Sequence, residues 1–353
     1  MNPEIALLLL QDGLVTGSTY ALLALAAVLL FTTTRIIFVP QGDLVALSGL
    51  TYASWEVGKL PASVWLLAGL AGLATLIEII AATRSRRFRA LPRALFTHAI
   101  LPGLIVVLAV CVSARPPPLP LIARVLLTVA LIVPLGPLVY RVAFQPVIAA
   151  SISSLFVVAI ATHFAIEGIA LIAFGPEGVR AAPLLDASMT LGPLSVSAQS
   201  LLMIGVTAAS AAALYLFFRL HMLGKALRAV AVNRLGARLV GIGAERSGAV
   251  AFLLSAAMAA FTGVLLAGST TLYYDSGFMI GLKAFVGALF GGLISYPAAV
   301  VGAFLIGVLE SFVSFWASAY KDALVFAALI PIMWWLSVRG HTEGIDDDED
   351  STL

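Results

Sequence analysis

Charged residues are scarce in this chain. Only 11% of its 353 residues are Asp, Glu, Lys or Arg, while 61% are hydrophobic and the mean hydropathy is +1.08. A soluble domain contains about 25% charged residues. Because so few charged side chains could not cover a globular surface in water, the composition indicates a polytopic membrane protein.

Catalytic and metal-binding motifs are also missing. Cys111 is the only cysteine, which excludes a disulfide framework and a thiolate metal cluster. The string nearest to a phosphate-binding loop has Ser269 in place of the required lysine. The four histidines lack metal-ligand spacing, and no GxSxG elbow occurs. We therefore expect no catalytic residues, no metal and no cofactor, since a membrane enzyme would need a cluster of polar groups.

Long apolar runs dominate the rest of the sequence. A helix crosses a bilayer core of about 30 Å with about 20 apolar residues, which predicts an all-α, polytopic transmembrane helix bundle of about eleven spans, including broken or re-entrant segments. The predicted spans are 5–31, 37–57, 61–82, 98–114, 119–140, 152–174, 198–218, 248–272, 278–293, 296–318 and 321–338. No Lys or Arg precedes Arg35, so the first run is expected to be a retained span and not a cleaved signal peptide.

Two of these segments are interrupted. The segment 37–57 contains the polar cluster Gln41, Gly42 and Asp43, and 278–293 is rich in glycine. Irregular backbone at membrane depth needs protein or water around it, and it therefore often lines a transport pathway. The cluster is a candidate part of such a pathway. The alternative is that Asp43 only caps the following half-helix.

Charged residues inside the apolar spans are further candidates. Lys283 and Glu310 both lie in predicted spans, where an exposed charge would be costly, so each is expected to face the interior of the bundle. Glu310 would line or gate the pathway, or it would pair with Lys283 and hold helices together. Lys283 could instead extend to the outer surface. Glu78 is expected to form a surface ion pair with the arginine run 84–93.

The distribution of basic residues predicts the orientation. The run 84–93 contains five arginines and no acid, and the segment 219–248 contains six basic residues and one acid. Cytoplasmic loops of membrane proteins carry an excess of Lys and Arg. Both segments are therefore predicted to be cytoplasmic, with the N-terminus outside and the C-terminus in the cytoplasm. Residues 1–340 would form one transmembrane domain, followed by an acidic tail at 341–353.

The segment 219–248 also carries an apolar stripe. Its apolar residues recur every three or four positions, which is typical of a helix lying along the membrane surface: Leu223, Leu227, Ala231, Leu235, Leu239 and Ile242. A soluble partner could bind such a helix between two spans. Alternatively, the helix only anchors to anionic lipid headgroups. The pattern does not distinguish these two interpretations.

Several strings together resemble a known family. They are GLVTGSTYALLALAAVLL followed by VPQGDLVALSG, then YRVAFQPVIAASISSLFVVAIATHF, GKALRAVAVNRLGARLVGI, and GFMIGLKAFVGALFGGLISYPAAVVGAFLIGVLESF. In this order they are similar to the permeases of branched-chain amino acid ABC importers, in particular the first-type subunit that is usually paired with a second, related permease. Residues 83–140 depart from the family pattern and look like an inserted helix pair.

The resemblance implies a function and a set of partners. The chain would be a transmembrane permease subunit of an ATP-binding-cassette importer in a bacterial inner membrane, and it would move branched-chain amino acids by alternating access. Its partners would be a second homologous permease subunit, two cytoplasmic ATPases, an external solute-binding protein and membrane lipids, with no nucleic acid. The ATPase-docking helix would contain Leu223, Gly224, Lys225, Leu227, Arg228, Ala231, Leu235, Arg238, Leu239 and Gly241.

Two alternatives to this function stay open at the level of sequence. Relatives in the same family carry urea, short amides or aromatic acids, and nothing in the strings excludes these substrates. A secondary transporter or channel that needs no ATPase belongs to a different class. Co-purification of an ATPase would separate that class from an ATP-driven importer.

Overall fold

The computed structural model describes residues 3–85, 91–114, 119–191 and 194–334. Its α-helices in chain order are α1 (Pro3–Thr34), α2 (Gln41–Glu56), α3 (Ser63–Ser85), α4 (Leu91–Leu95), α5 (Leu101–Ser113), α6 (Leu121–Ile132), α7 (Leu135–Val139), α8 (Ile152–Phe174), α9 (Ala198–Leu220), α10 (Met222–Val232), α11 (Arg234–Leu239), α12 (Ala244–Ala267), α13 (Ser276–Leu289), α14 (Tyr296–Trp316) and α15 (Lys321–Ala327). Single turns of π-helix (Phe96–Ile100, Tyr140–Phe144) or 3-10 helix (Gln145–Val147, Ser318–Tyr320) join some of them.

The all-α prediction is confirmed. The strands in the described residues are β1 (Ser188–Leu191) and β2 (Leu194–Ser197), which pair antiparallel within the connection between α8 and α9. Among the residues that the structure describes, eight helical segments are long and apolar enough to cross a membrane: Pro3–Thr34, Ser63–Arg84, Phe96–Ser113, Leu121–Val147, Ile152–Phe174, Ala198–Leu220, Ala244–Ala267 and Tyr296–Trp316. The fold is a polytopic helix bundle.

Two of the predicted spans are shorter helices. At 1.5 Å per residue, α2 is about 24 Å long and α13 about 21 Å, both below the roughly 30 Å of a bilayer core. Nearly every residue of α2 is buried. These are the two segments whose interruptions the sequence shows. The described part of the predicted span 321–338 begins with α15, and residues 335–338 lie outside the described residues.

Helix α1 lies at the centre of the bundle and packs antiparallel along α14. Gly13 and Gly17 of α1 face Gly307 on α14 so closely that a Cβ added at any of the three would overlap backbone atoms. At the same contact the hydroxyl of Ser311 donates to the Leu9 carbonyl over 2.8 Å. Small residues allow this approach, as expected for packing within a membrane.

The contacts between loops divide the helix ends into two sides. The side where α1 begins also holds β2, because Gln11 Nε2 donates to the Ser195 carbonyl over 3.1 Å. It also holds the connection after α12, which forms a bridge between Val179 and Leu272. The other side holds the end of α1 together with α10. This arrangement agrees with the relative sidedness predicted from the basic residues; which side is cytoplasmic stays a prediction.

Within the described parts of the region 83–140, α5 and α6 form a helix pair that packs against α3 and α2. Glu78 of α3 lies 2.8 Å from Arg141 Nε and 3.8 Å from His98 Nε2. Its pairing with the arginine run 84–93 stays a prediction. Arg124 of α6 lies 3.4 Å from Glu56 at the end of α2. Residues 86–90 of the arginine run and the tail 341–353 lie outside the described residues. That this helix pair is an insertion stays a prediction.

Candidate functional site

Helix α2 begins deep inside the bundle. Gln41 Nε2 donates to the Leu23 carbonyl over 2.8 Å. Leu23 lies about three turns before Thr34, the end of α1, so Gln41 lies about 16 Å inside that end. The chain therefore returns towards the middle of the bundle through residues 35–40 before α2 starts. The predicted helix break at the Gln41 cluster is confirmed, and the break lies near the middle of the membrane-spanning region.

The first turns of α2 and α13 cross at glycines. A Cβ on Gly42 would overlap the Gly277 backbone, and a Cβ on Gly277 would lie 2.7 Å from the Asp43 Cα. No side chain fits at this crossing. Both short helices therefore begin at one place in the bundle, with the positive ends of their dipoles close to each other.

Asp43 contacts a histidine that lies far from it in sequence. Its Oδ2 lies 2.8 Å from Nδ1 of His163 on α8, and the other ring nitrogen lies 3.3 Å from Oε2 of Glu167. Asp43 and His163 are 2% and 3% exposed. The prediction that Asp43 caps α2 is wrong, because the cap residue is Pro40 and no side chain caps the helix. Asp43 lies within the first turn and points across to α8.

His163 lies in the wall of an internal cavity of about 460 Å³. Its ring stacks on Phe278 of α13 with centroids 4.6 Å apart. The wall is formed mainly by apolar and aromatic residues of α1, α8 and α13, and its polar side chains are Gln41, His163, Glu167 and Asp275. The contributions of α1 are Leu23, Ala27 and Phe31 on successive turns, so the cavity extends from mid-depth towards the side where α1 ends.

A second buried polar cluster joins four helices. Lys283 of α13 pairs with Glu310 of α14, as one of the sequence alternatives predicted. Tyr20 of α1 donates a 2.5 Å hydrogen bond to the other Glu310 oxygen. Asp322 of α15 lies 2.8 Å from the Lys283 nitrogen. Lys283 is 6% exposed, so the alternative in which it extends to the surface is wrong.

The two polar clusters are separate. Gln41 lines the cavity, whereas neither Lys283 nor Glu310 is among the residues that form its wall. Their ion pair neutralises charge between packed helices, which agrees with a role in holding the bundle together. Of the five predicted pathway residues, Gln41 lines the cavity and Asp43 contacts the wall residue His163. Gly42 lies at the crossing with α13, and Lys283 and Glu310 form the separate ion pair.

The predicted amphipathic helix in the segment 219–248 is two helices, α10 and α11. Asn233 separates α10 from α11, and its side chain accepts from the Gly236 amide over 2.8 Å as an N-cap, a role that favours a new helix start. Leu227 is 1% exposed, and Gly224 is buried against the end of α9. In contrast, Leu235 and Leu239 of α11 are 70% and 81% exposed. The predicted stripe is therefore divided between an inner and an outer surface.

Sequence reasoning missed several residues of these clusters. His163 has no second histidine at metal-binding spacing, and Glu167 has no oppositely charged Lys or Arg near it in sequence. Their spacing of one helical turn, i to i+4, was the available signal. Tyr20 and Asp322 carried no signal, since their partners lie on other helices.

The geometry defines a class of protein. A bundle of membrane-crossing helices, in which two shorter helices meet beside a largely apolar cavity with a few polar side chains, is typical of transport proteins. The profile of the family described as branched-chain amino acid transport system / permease component matches residues 9–333. The chain belongs to this family and is a multi-pass membrane permease.

Individual relatives are similar over a shorter range. The high-affinity branched-chain amino acid transport system permease protein LivH of Escherichia coli (strain K12) is 41% identical over 132 residues, which is 36% of this chain and 42% of that protein. The corresponding permease protein BraD of Pseudomonas aeruginosa is 37% identical over 122 residues, or 34% of this chain and 40% of that protein. These matches cover about two-fifths of each relative's length. No solved structure matches.

Proposed function

We propose that this chain is the permease subunit of an ATP-driven importer and that the cavity beside His163 is part of its translocation pathway. The observation that carries the proposal is the buried pair of Asp43 and His163, with the half-buried Glu167 beside it, at mid-depth where two short helices begin. Buried ionisable groups at membrane depth usually mark a substrate or ion route, because an interior without function would be cheaper to build from apolar residues.

The cavity fits a small solute that is partly apolar. Its volume of about 460 Å³ is within the range of small-molecule sites. Carboxylates at Glu167 and Asp275 would attract an ammonium group, and the helix starts at Gln41 and Ser276 would favour a carboxylate. The aromatic wall would contact an aliphatic side chain. Branched-chain amino acids, which the names of the relatives mention, have all three features.

The energy source would be a pair of cytoplasmic ATPases that bind α10 and α11. The proposed contact surface consists of these exposed residues of the predicted docking helix: Leu223, Lys225, Leu235, Arg238, Leu239 and Gly241. The buried Gly224 and Leu227 would transmit movement, because they fix α10 to α9 and α12. Ala231, which is half-buried, lies between these two groups.

The remaining partners follow from the same arrangement. A second, homologous permease subunit would complete the membrane domain. An external solute-binding protein would deliver substrate to the side that holds the β1–β2 hairpin. The side of α10 and α11 would be cytoplasmic, with the N-terminus outside and the C-terminus inside a bacterial inner membrane. The chain itself would carry out no covalent chemistry.

Uptake of solute by the reconstituted complex tests whether this chain belongs to an ATP-driven importer. The chain is co-expressed with its genomic neighbours, purified by a tag on this subunit, and reconstituted into liposomes that contain ATP. We expect ATPase subunits to co-purify and radiolabelled leucine, isoleucine or valine to accumulate only when ATP and the binding protein are present. Uptake of leucine without any ATPase would indicate a secondary transporter, and uptake of urea alone would reject the substrate class.

A further inference from the structure

A second cleft lies between α1, α9, α10 and α14, on the side of the bundle where α1 ends. Its volume is about 490 Å³. Most of its wall is apolar, including Leu29, Leu214 and Val300. Two arginines, Arg35 after the end of α1 and Arg228 on α10, also line the cleft. The cleft thus combines an apolar interior with two positive charges.

Neither arginine has a carboxylate partner among the described residues. Each guanidinium lies over an aromatic ring, Arg35 at 5.6 Å from the centre of Phe31 and Arg228 at 5.8 Å from the centre of Phe218. In the part of the chain that the structure describes, no carboxylate oxygen lies within the 4.0 Å ion-pair distance of either group. Other buried or half-buried arginines of the bundle, such as Arg124 and Arg141, do have an acidic partner.

The hydroxyl groups beside the arginines extend the polar part of the cleft. Thr32 and Thr33 occupy the last turn of α1, and Tyr215 of α9 and Tyr296 of α14 also line the cleft. Tyrosines are enriched at the level of lipid headgroups, where the ring is apolar and the hydroxyl reaches water. The cleft is therefore polar and positive at the membrane surface and apolar towards the bilayer interior, which is the polarity of a phospholipid molecule.

We propose that this cleft binds one anionic phospholipid, with the phosphate between Arg35 and Arg228 and an acyl chain along the apolar wall. Basic pockets between membrane helices at one membrane face are known to suit such headgroups. The charge complementarity favours an anionic lipid over a zwitterionic one, since two arginines without acidic partners leave a positive charge to be neutralised. A bound lipid would connect the end of α1 to α10 through its headgroup.

The site has a consequence for the proposed docking helix. The side chains of Leu227, Arg228 and Ala231 on α10 line the cleft, whereas Leu235 and Leu239 on α11 point away from the bundle. The two sequence interpretations of this amphipathic segment therefore apply to different surfaces. One surface binds lipid, and the other is free for a soluble protein. The lipid site depends on the cleft alone and does not require the transport function.

Native mass spectrometry of the purified full-length chain tests the proposal. The protein in detergent is titrated with phosphatidylglycerol, and the fraction of chains carrying one lipid gives an apparent dissociation constant. The double variant Arg35→Gln/Arg228→Gln should bind about 30-fold more weakly, because each arginine near a headgroup contributes about fivefold. Phosphatidylcholine should bind more weakly than phosphatidylglycerol to the unmodified chain.

Matched variants separate the cleft from general surface charge. Lys225→Gln removes a positive charge from an exposed position on the same helix and should leave the dissociation constant unchanged. Ala211→Phe keeps both arginines but fills part of the apolar wall, and it should weaken binding. If Lys225→Gln and the double arginine variant lost the same lipid affinity, the proposal would be overturned, because the lipid would then be attracted by general surface charge. Displacement of the lipid by glycerol 3-phosphate would reject the apolar part of the site.

Discussion

Asp43 and His163 lie 120 residues apart in sequence, yet the aspartate oxygen lies 2.8 Å from the histidine Nδ1. With Glu167 at the other ring nitrogen, the imidazole faces a carboxylate on both sides. An imidazole donates from both nitrogens only when it is protonated. The arrangement places a group that can gain and lose charge in the wall of the cavity, beside the starts of α2 and α13.

We expect the variant His163→Leu to abolish uptake and to destabilise the protein. It leaves Asp43 buried without a partner, and loss of one partner of a buried pair costs about 3–5 kcal/mol. The double variant Asp43→Asn/His163→Gln removes both charges and should recover most of the thermal stability without recovering uptake. Normal uptake by the folded double variant would show that Asp43 and His163 contribute only to packing and not to transport.

The cluster around Lys283 predicts an order of stabilities. Lys283→Met leaves two acids, Glu310 and Asp322, without their shared cation, so it should cost about 3–5 kcal/mol. Glu310→Gln should cost less, because Lys283 keeps Asp322 at 2.8 Å and Tyr20 can still bond to the amide oxygen. Thermal unfolding in detergent measures both variants. A larger loss in Glu310→Gln would contradict this reading of the cluster.

Two leucines of the docking region should behave differently when replaced by aspartate. Leu235→Asp changes a side chain that is 70% exposed, so the protein should insert and fold normally while ATPase stimulation and uptake decrease together. Leu227→Asp places a charge at a position that is 1% exposed, and it should prevent folding. Full coupled ATPase activity in the folded Leu235→Asp complex would show that α11 does not dock.

The crossing of α2 and α13 should not tolerate a methyl group. Gly42→Ala brings a Cβ into the Gly277 backbone, and the resulting separation of the two helices should lower stability and uptake. Gly69→Ala is the matched control, since a Cβ there meets no atom within 4 Å. Equal stability of the two variants would mean that the crossing can relax without cost.

The orientation can be tested with single cysteines in a Cys111→Ser background. Thr83, at the end of α3, should be labelled from the cytoplasm, and Ala187, before β1, should be labelled from outside by a reagent that cannot cross the membrane. We expect this labelling pattern because cytoplasmic loops carry an excess of basic residues, and the arginine run begins at the end of α3. Labelling of both positions from the same side would reject the assigned topology.

The sequence predicts the helices of this fold better than it predicts the contacts between them. Apolar runs of sufficient length identify the long spans, and the polar residues at 41–43 locate the break before α2, because hydropathy and backbone chemistry are local properties. The pair Lys283–Glu310 could be predicted because a membrane interior forces the few charges it contains together. His163 could not be paired with Asp43, since the register between α2 and α8 depends on packing of the whole bundle.

The division of the amphipathic segment into α10 and α11 also could not be predicted from the sequence. The stripe from Leu223 to Ile242 has helical spacing throughout. However, the Asn233 side chain caps the N-terminus of α11, so one helix ends and another begins at this residue. Whether each apolar residue faces the bundle or the outside depends on how α10 lies against α9. A periodic pattern alone contains no information on that position.

The central claim, that solute passes through the His163 cavity, is tested most directly by chemical block of the cavity wall. Ile160→Cys lines the cavity, and Ala165→Cys lies on the same helix, exposed and outside the wall. In the Cys111→Ser background, a charged methanethiosulfonate reagent should stop ATP-dependent leucine uptake in the first variant and not in the second, and leucine should slow the reaction. Undiminished uptake after complete modification of Ile160→Cys would contradict the claim.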